Sequence, residues 1–136
     1  AGHPKDINVY QAQKALDNAF RAVKKGGTII LVASCKEGFG EKTFEEWVRA
    51  AESPQAIRDR LARDFQLGGH KAAGFAKVLL EAKVVMITDM PAEDVKAMFI
   101  EPHTKDELQA VIDRETAQAK SVYVIPQGGS VLPKIK

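Results

Sequence analysis

Apolar positions in the first part of the chain repeat at helical spacing and then switch to an unbroken run. From Asn8 to about Lys25, Val9, Leu16, Phe20 and Val23 follow steps of three and four or their sums, with Ala12, Ala15, Ala19 and Ala22 beside them. That is the stripe of an amphipathic helix. Asp6 or Asn8 can cap its start, and Lys24-Lys25-Gly26-Gly27 supplies a basic last turn and a glycine stop. Thr28-Ile29-Ile30-Leu31-Val32-Ala33 follows without alternation, as a strand covered on both faces requires.

Further on, residues 43–51 predict a short helix with Phe44, Trp47 and Val48 inward. Ser53-Pro54 opens another, whose stripe is Ile57, Leu61 and Phe65. Gly68-Gly69 breaks the pattern, and residues 70–83 are helical again with Phe75, Val78, Leu79 and Ala82 inward. Val84-Val85-Met86-Ile87-Thr88 predicts a second buried strand, 91–98 a short helix and Phe99-Ile100 a third strand. Thr104-Lys105-Asp106-Glu107 is a capping box opening a helix over 104–119, and 121–126 is the last predicted strand. Strands alternating with helices argue for an α/β fold: an open, mostly parallel sheet with helices on both faces, in a Rossmann-like three-layer arrangement. There is no internal repeat, and residues 1–136 read as one domain.

Composition narrows the classes without naming a chemistry. With 45% hydrophobic and 28% charged residues the chain has ordinary globular usage, which argues against intrinsic disorder. No apolar run approaches the roughly 20 residues that span a bilayer. Twenty Lys and Arg against 18 Asp and Glu leave +2, spread along the chain, so neither a membrane surface nor a nucleic-acid groove is expected. The lone Cys35 excludes an intramolecular disulfide and fits a reducing compartment, so the expected location is cytoplasmic. The opening Ala1-Gly2-His3-Pro4-Lys5-Asp6 reads as the loop that follows a strand, which suggests a piece of a longer chain.

In open parallel sheets ligands bind outside the carboxyl ends of the strands. Here those ends carry Ser34-Cys35-Lys36-Glu37-Gly38-Phe39-Gly40, Asp89-Met90-Pro91 and Gln127-Gly128-Gly129-Ser130, joined by the opening loop and the start of the first helix. Gln11 and Lys14, three apart, project from one face near that helix start. An amide, an ammonium and free helix amides suit a carboxylate. The plainer alternative makes Gln11 the third residue of a capping box opened by Asn8 and leaves Lys14 merely solvated. Gly68-Gly69-His70-Lys71 precedes a helix whose amides could meet an anion, although a glycine stop between helices is the plainer explanation; it is neither a GxGxxG fingerprint nor a P-loop. His3, His70 and His103 match no zinc spacing, and Cys35 is either a nucleophile or a small buried hydrophobe. Phe39, Phe44 and Trp47 are most simply core.

The run Gly2-His3-Pro4-Lys5-Asp6-Ile7-Asn8-Val9-Tyr10-Gln11-Ala12-Gln13-Lys14 resembles the GG-x-P-x-D-x-N-x-Y-Q-x-x-K signature of the nickel-dependent lactate racemase family. Gly26-Gly27-Thr28-Ile29-Ile30, Cys35-Lys36-Glu37-Gly38-Phe39-Gly40 and Leu67-Gly68-Gly69-His70-Lys71-Ala72 continue the resemblance in order along nearly the whole chain. The resemblance implies the C-terminal domain of a two-domain protein whose active site lies between two α/β domains. It implies a nickel pincer nucleotide that accepts a hydride from C2 of a 2-hydroxy acid and returns it to either face of the flat 2-keto acid. The nickel ligands, the lysine that tethers the cofactor and two acid/base histidines would all belong to the N-terminal domain, leaving no catalytic or metal residue on this chain. By motif match Gln11 and Lys14 would orient substrate, with Gly69, His70 and Lys71 lining the cleft. The aromatic residues depart from the family: Trp47 lies outside the resembling segments, the helix after Gly68-Gly69 offers Phe75, and His3 stands where an aromatic residue is often seen. The resemblance therefore implies a racemase or epimerase of 2-hydroxy acids rather than lactate in particular. Two other classes compete with it: a non-catalytic α/β module binding a nucleotide or partner domain at Gly68-Gly69, and, more weakly, a flavodoxin-like signalling domain, which would need more acidic residues than Asp89 at the strand ends.

Overall fold

A computed structural model describes residues 1–134. The order of elements is α1 (Val9–Phe20), β1 (Thr28–Val32), α2 (Lys42–Ala50), α3 (Pro54–Arg63), α4 (Gly69–Glu81), β2 (Lys83–Ile87), α5 (Ala92–Ala97), β3 (Glu101–His103), a 3-10 turn (Lys105–Glu107) and α6 (Leu108–Thr116). The sheet has three strands in the order β1-β2-β3. Both pairings are parallel, with Ile30 opposite Val85 and Ile87 opposite His103.

Side-chain alternation divides the sheet between two cores. Ile29, Leu31, Val84 and Met86 join the main core with Ala12, Ala15 and Leu16 of α1 and Ala72, Ala76 and Val78 of α4. Alanines on the facing helices let their backbones approach closely. On the opposite face Val85 and Ile87 pack with Val111 of α6, flanked by Ile30 and Leu108. Helices therefore cover both faces of a parallel sheet, in three layers.

Several predicted elements change in detail, each for a packing reason. β2 is buried at four successive positions because it is the central strand. β1 lies at the edge, and its run alternates in burial, with Val32 48% exposed rather than covered on both faces. The third strand starts two residues later than predicted, because Phe99 has φ +61 in the turn that ends α5. The helix predicted over 104–119 opens as a 3-10 turn with its capping box in place, and the α-helix ends at Thr116.

The strand predicted over 121–126 does not form. Val122, Tyr123 and Val124 are 57%, 74% and 83% exposed and hydrogen-bond to no strand among the described residues. Their β-branched and aromatic character favours extension, but extension without a partner edge is not a strand. Phe65 also departs from its predicted stripe: α3 ends at Arg63, and Phe65 is left 72% exposed on the connection to α4.

Candidate functional site

Three of the four loops proposed at the strand ends meet as foreseen, and the fourth joins them by a different route. Cys35 N donates to Asp6 O (2.7 Å) and Glu37 N to Ile7 O (3.0 Å), which ties the β1 loop to the opening loop. Ser34 Oγ donates to Asp89 Oδ2 (3.2 Å) and Asp89 N to Ser34 O (3.1 Å), which ties the ends of β1 and β2. Between them lies an open depression of about 480 Å³ lined by His3, Asp6, Ile7, Ser34, Lys36 and Asp89. Residues 127–130 arrive from a coil rather than from a strand. Lys5 Nζ donates to Gly129 O (2.8 Å) and Ser130 Oγ (2.9 Å), and Asn18 Nδ2 donates to Gly128 O (2.7 Å).

The start of α1 holds Gln11 and Lys14, and its backbone is already satisfied. Val9 N donates to Gly38 O and Tyr10 N to Phe39 O, both at 3.0 Å, while Asn8 Oδ1 accepts from Gln11 N at 2.9 Å. The free helix amides expected to meet a carboxylate are therefore occupied, by a loop nearly thirty residues away in sequence. Asn8 fits only because Gly40 has no side chain: a Cβ there would lie 2.2 Å from the Asn8 side chain. Half of the foreseen capping box forms, through the backbone of Gln11. The Gln11 side chain and the exposed Lys14 ammonium make no hydrogen bond or ion pair among the described residues, so both stay open to a ligand.

At the Gly68-Gly69 turn most of the backbone amides have partners within the chain. Gly68 N donates to His70 Nδ1 (3.2 Å), His70 N to Gln66 O (3.3 Å) and Lys71 N to Gly68 O (3.1 Å), so these three amides are taken up by the turn itself. Gly68 takes φ +92, and a Cβ there would lie 2.2 Å from Glu41 Oε2, the carboxylate that caps α2 through Thr43 N and Phe44 N. Gly69 is buried against the ring of Trp47, where a Cβ would sit 2.5 Å from the nearest ring atom. Its part is to let the chain pass Trp47, and it presents no surface to a cleft. His70 is partly exposed and stacks on Phe65 at 6.1 Å. Trp47 is 1% exposed, donates Nε1–H to Gln66 Oε1 (2.9 Å) and carries the Arg60 guanidinium 4.3 Å above its ring. Phe39, Phe44 and Phe75 are buried as well, so these aromatics are core.

Lys71 is brought to the site by helix packing. Its Nζ sits 3.9 Å from the centroid of the Tyr10 ring and donates to Tyr10 O at 3.3 Å. Burial first, and the neighbouring positive charge of Lys14 second, lower its pKa, while Asp17 pulls the other way. Gln13 holds the two helices in this register: its side chain is buried and Nε2 donates to Lys71 O at 3.0 Å. Neither Tyr10 nor Gln13 was singled out from the sequence. Gln13 carried a signal, since it falls four residues after Val9 and three before Leu16, inside the apolar stripe.

The remaining reactive side chains are structural. Cys35 is 1% exposed, and burial first, then the carboxylate of Asp6, pushes its thiol up to about 12. It is the small buried hydrophobe and not a thiolate nucleophile at neutral pH. His103 lies between Glu101 (2.7 Å from Nε2) and Glu107 (3.1 Å from Nδ1) at the sheet edge, away from α1. Among the described residues no group of three or more His, Cys, Asp and Glu is placed to hold a metal ion.

Comparison with known proteins shows the family of the chain. The sequence model for the lactate racemase C-terminal domain matches residues 1–133. A lactate racemase from Thermoanaerobacterium thermosaccharolyticum is 34% identical over 142 residues, covering 99% of this chain and 33% of that protein. One from Lactiplantibacillus plantarum is 32% identical over 139 residues, covering 98% and 33%. The structure of the lactate racemase apoprotein from Thermoanaerobacterium thermosaccharolyticum superposes with a TM-score of 0.86 at 30% identity, covering 96% of this chain and 33% of that one. The chain thus spans about a third of the length of the relatives it matches. On the match of residues 1–133, this chain belongs to the lactate racemase C-terminal domain family.

Proposed function

We propose that this chain is the substrate-orienting wall of a 2-hydroxy-acid racemase or epimerase, an isomerase completed by an N-terminal partner domain and working in the cytoplasm. The observation that carries this reading is the pair Gln11 and Lys14, one turn apart on α1, with both side chains unengaged among the described residues. A 2-hydroxy acid offers a carboxylate and a hydroxyl on neighbouring carbons. Lys14 supplies a point charge for the carboxylate, and the Gln11 amide donates to the carboxylate or accepts from the hydroxyl. Two contacts to one end of a small molecule fix the direction in which its C2–H bond points, which is a positioning contribution to rate. The family resemblance supplies the rest: a nickel pincer nucleotide, held by the other domain, would take up and return the hydride at C2. The competing nucleotide-binding module has less support, because the Gly68, His70 and Lys71 amides already have partners within the turn.

Kinetics of the cofactor-loaded full-length protein test this assignment. Hydrogen bonds to charged groups contribute about 1.5–3 kcal/mol, so Lys14→Ala should lower kcat/KM by roughly 10- to 150-fold. Gln11→Ala, which removes a neutral donor, should lower it by roughly 2- to 10-fold. A Lys14→Ala enzyme within about twofold of wild type would remove Lys14 from the site.

A further inference from the structure

The first turns of α1 and α4 lie side by side, and their packing sets a second ammonium beside the first. Lys71 reaches from α4 across the Tyr10 ring, with Nζ 3.9 Å from the ring centroid and 3.3 Å from Tyr10 O. Tyr10 and Lys14 are four residues apart on α1, so they share a face and Lys71 stands next to Lys14. Neither lysine has a carboxylate within ion-pair distance among the described residues. Asp17, one turn beyond Lys14, acts on Lys71 only through space.

This position is held rather than incidental. Gln13, 4% exposed, donates through Nε2 to Lys71 O at 3.0 Å and fixes the start of α4 against α1. At Gly74 a Cβ would come within 3.2 Å of that same Nε2, a tight contact to which the Gln13 amide would have to give way. The ring face of Tyr10 attracts the ammonium and leaves N–H donors on Nζ for another acceptor. Lys71 is partly desolvated and feels the positive charge of Lys14, and both effects disfavour its charged form. A ligand with two anionic groups offsets them, whereas one with a single carboxylate satisfies only one lysine.

We propose that Lys71 is a specificity-determining residue which, beside Lys14, receives the distal carboxylate of the substrate, so that this site selects 2-hydroxy dicarboxylic acids over monocarboxylic ones. The inference rests on the function proposed above and adds the substrate class. Specificity follows from the difference between the two acids: the dicarboxylate pairs both cations, and the monocarboxylate leaves one facing its apolar tail.

The test uses the full-length protein loaded with its cofactor and compares racemisation of 2-hydroxybutanedioate and 2-hydroxybutanoate. The readout is the ratio of their kcat/KM values in wild type, Lys71→Met and Lys71→Arg. A wild-type ratio of about tenfold or more favouring the dicarboxylate is expected, in line with a charge-assisted contact present for one acid only. Lys71→Met should bring the ratio to within about twofold of one, and Lys71→Arg should keep the preference, since a guanidinium also stacks on Tyr10 and binds carboxylates. Equal turnover of the two acids by wild type, or a preference that survives Lys71→Met, overturns the inference and leaves the racemase reading standing. If loaded wild type racemises neither acid nor other 2-hydroxy acids, both fall together. Should Lys71→Met fail to fold, Lys71→Gln and the wild-type ratio decide in the same way.

Discussion

Gly69 and Cys35 show how single residues shape the site without touching a ligand. The Gly69 Cα faces the Trp47 ring, and a Cβ would arrive 2.5 Å from it in a core with no slack. Gly69→Ala should therefore destabilise the domain by about 1–3 kcal/mol through overpacking, measurable as a lower denaturant midpoint at unchanged slope. Loss of Trp47 packing would also carry away Gln66 and with it the start of α4, so the same variant should disturb Lys71. Cys35 has its thiol pushed up to about 12 by burial and by Asp6. In the folded domain at pH 7 it should react with a thiol reagent far more slowly than in denaturant. Reaction at the same rate in both would contradict its burial. At this scale the sequence was only half legible. The spacing of Gln11 and Lys14 marked one face of α1, but their partners could not be read, because Gly38 and Phe39 fill the helix amides from a distant loop.

Charged side chains at the junction of β3 and α6 tie these elements to the sheet. Lys83 pairs with Glu115 (2.6 Å) and Glu101 (3.4 Å), Arg114 with Glu115 (2.8 Å) and with Glu101, and His103 bridges Glu101 and Glu107. The His103 hydrogen bond, with Arg114 and Lys83 behind it, holds the Glu101 carboxyl at about 2. A depressed carboxyl adds stability above its unfolded value of 4.5, and that contribution is lost as pH falls from 4.5 towards 2. His103 runs the other way: Glu101 first and Glu107 after it raise its pKa above the ordinary 6.5. Its contribution is complete below 6.5 and is lost as pH rises through the raised value. Melting temperatures of wild type and His103→Gln should therefore differ most between about pH 4.5 and 6.5 and converge as pH rises through the raised value. A constant gap across that range would mean that the imidazole charge contributes nothing. The groups are partly solvated, so the gap should be small, in keeping with exposed ion pairs.

Elements with a strong period were readable, and those that depend on a distant partner were not. α1, α4 and β2 follow from their stripes and runs because each buries its own apolar face in the main core or between the two cores. Residues 121–126 have the composition of a strand, yet composition carries no information about a free edge, and Val124 stays 83% exposed. β1 was read as doubly covered because its run is unbroken, whereas its place at the edge, set by the strand order, leaves Val32 in solvent. Capping residues were more reliable: Asn8, Ser53 and the Thr104–Glu107 box all act where the pattern put them, since a cap needs only neighbours a few residues away.

For the whole molecule, the proposed function puts one wall of an active site on this chain and the reacting group on a partner domain. The three layers set α1 and α4 side by side on one face of the sheet, and their N-terminal turns carry Gln11, Lys14 and Lys71 together. In the proposed function the domain holds and aims a small anionic acid, and a partner domain completes the reaction. No helix among the described residues is long and apolar enough to cross a membrane. The most direct test is chiral chromatography of a single enantiomer of a 2-hydroxy acid incubated with the cofactor-loaded full-length protein. Wild type should carry it to a near-equal mixture of enantiomers, and Lys14→Ala should do so at least roughly tenfold more slowly at limiting substrate. Retention of the pure enantiomer by wild type, or equal rates for the two proteins, would contradict the proposed function.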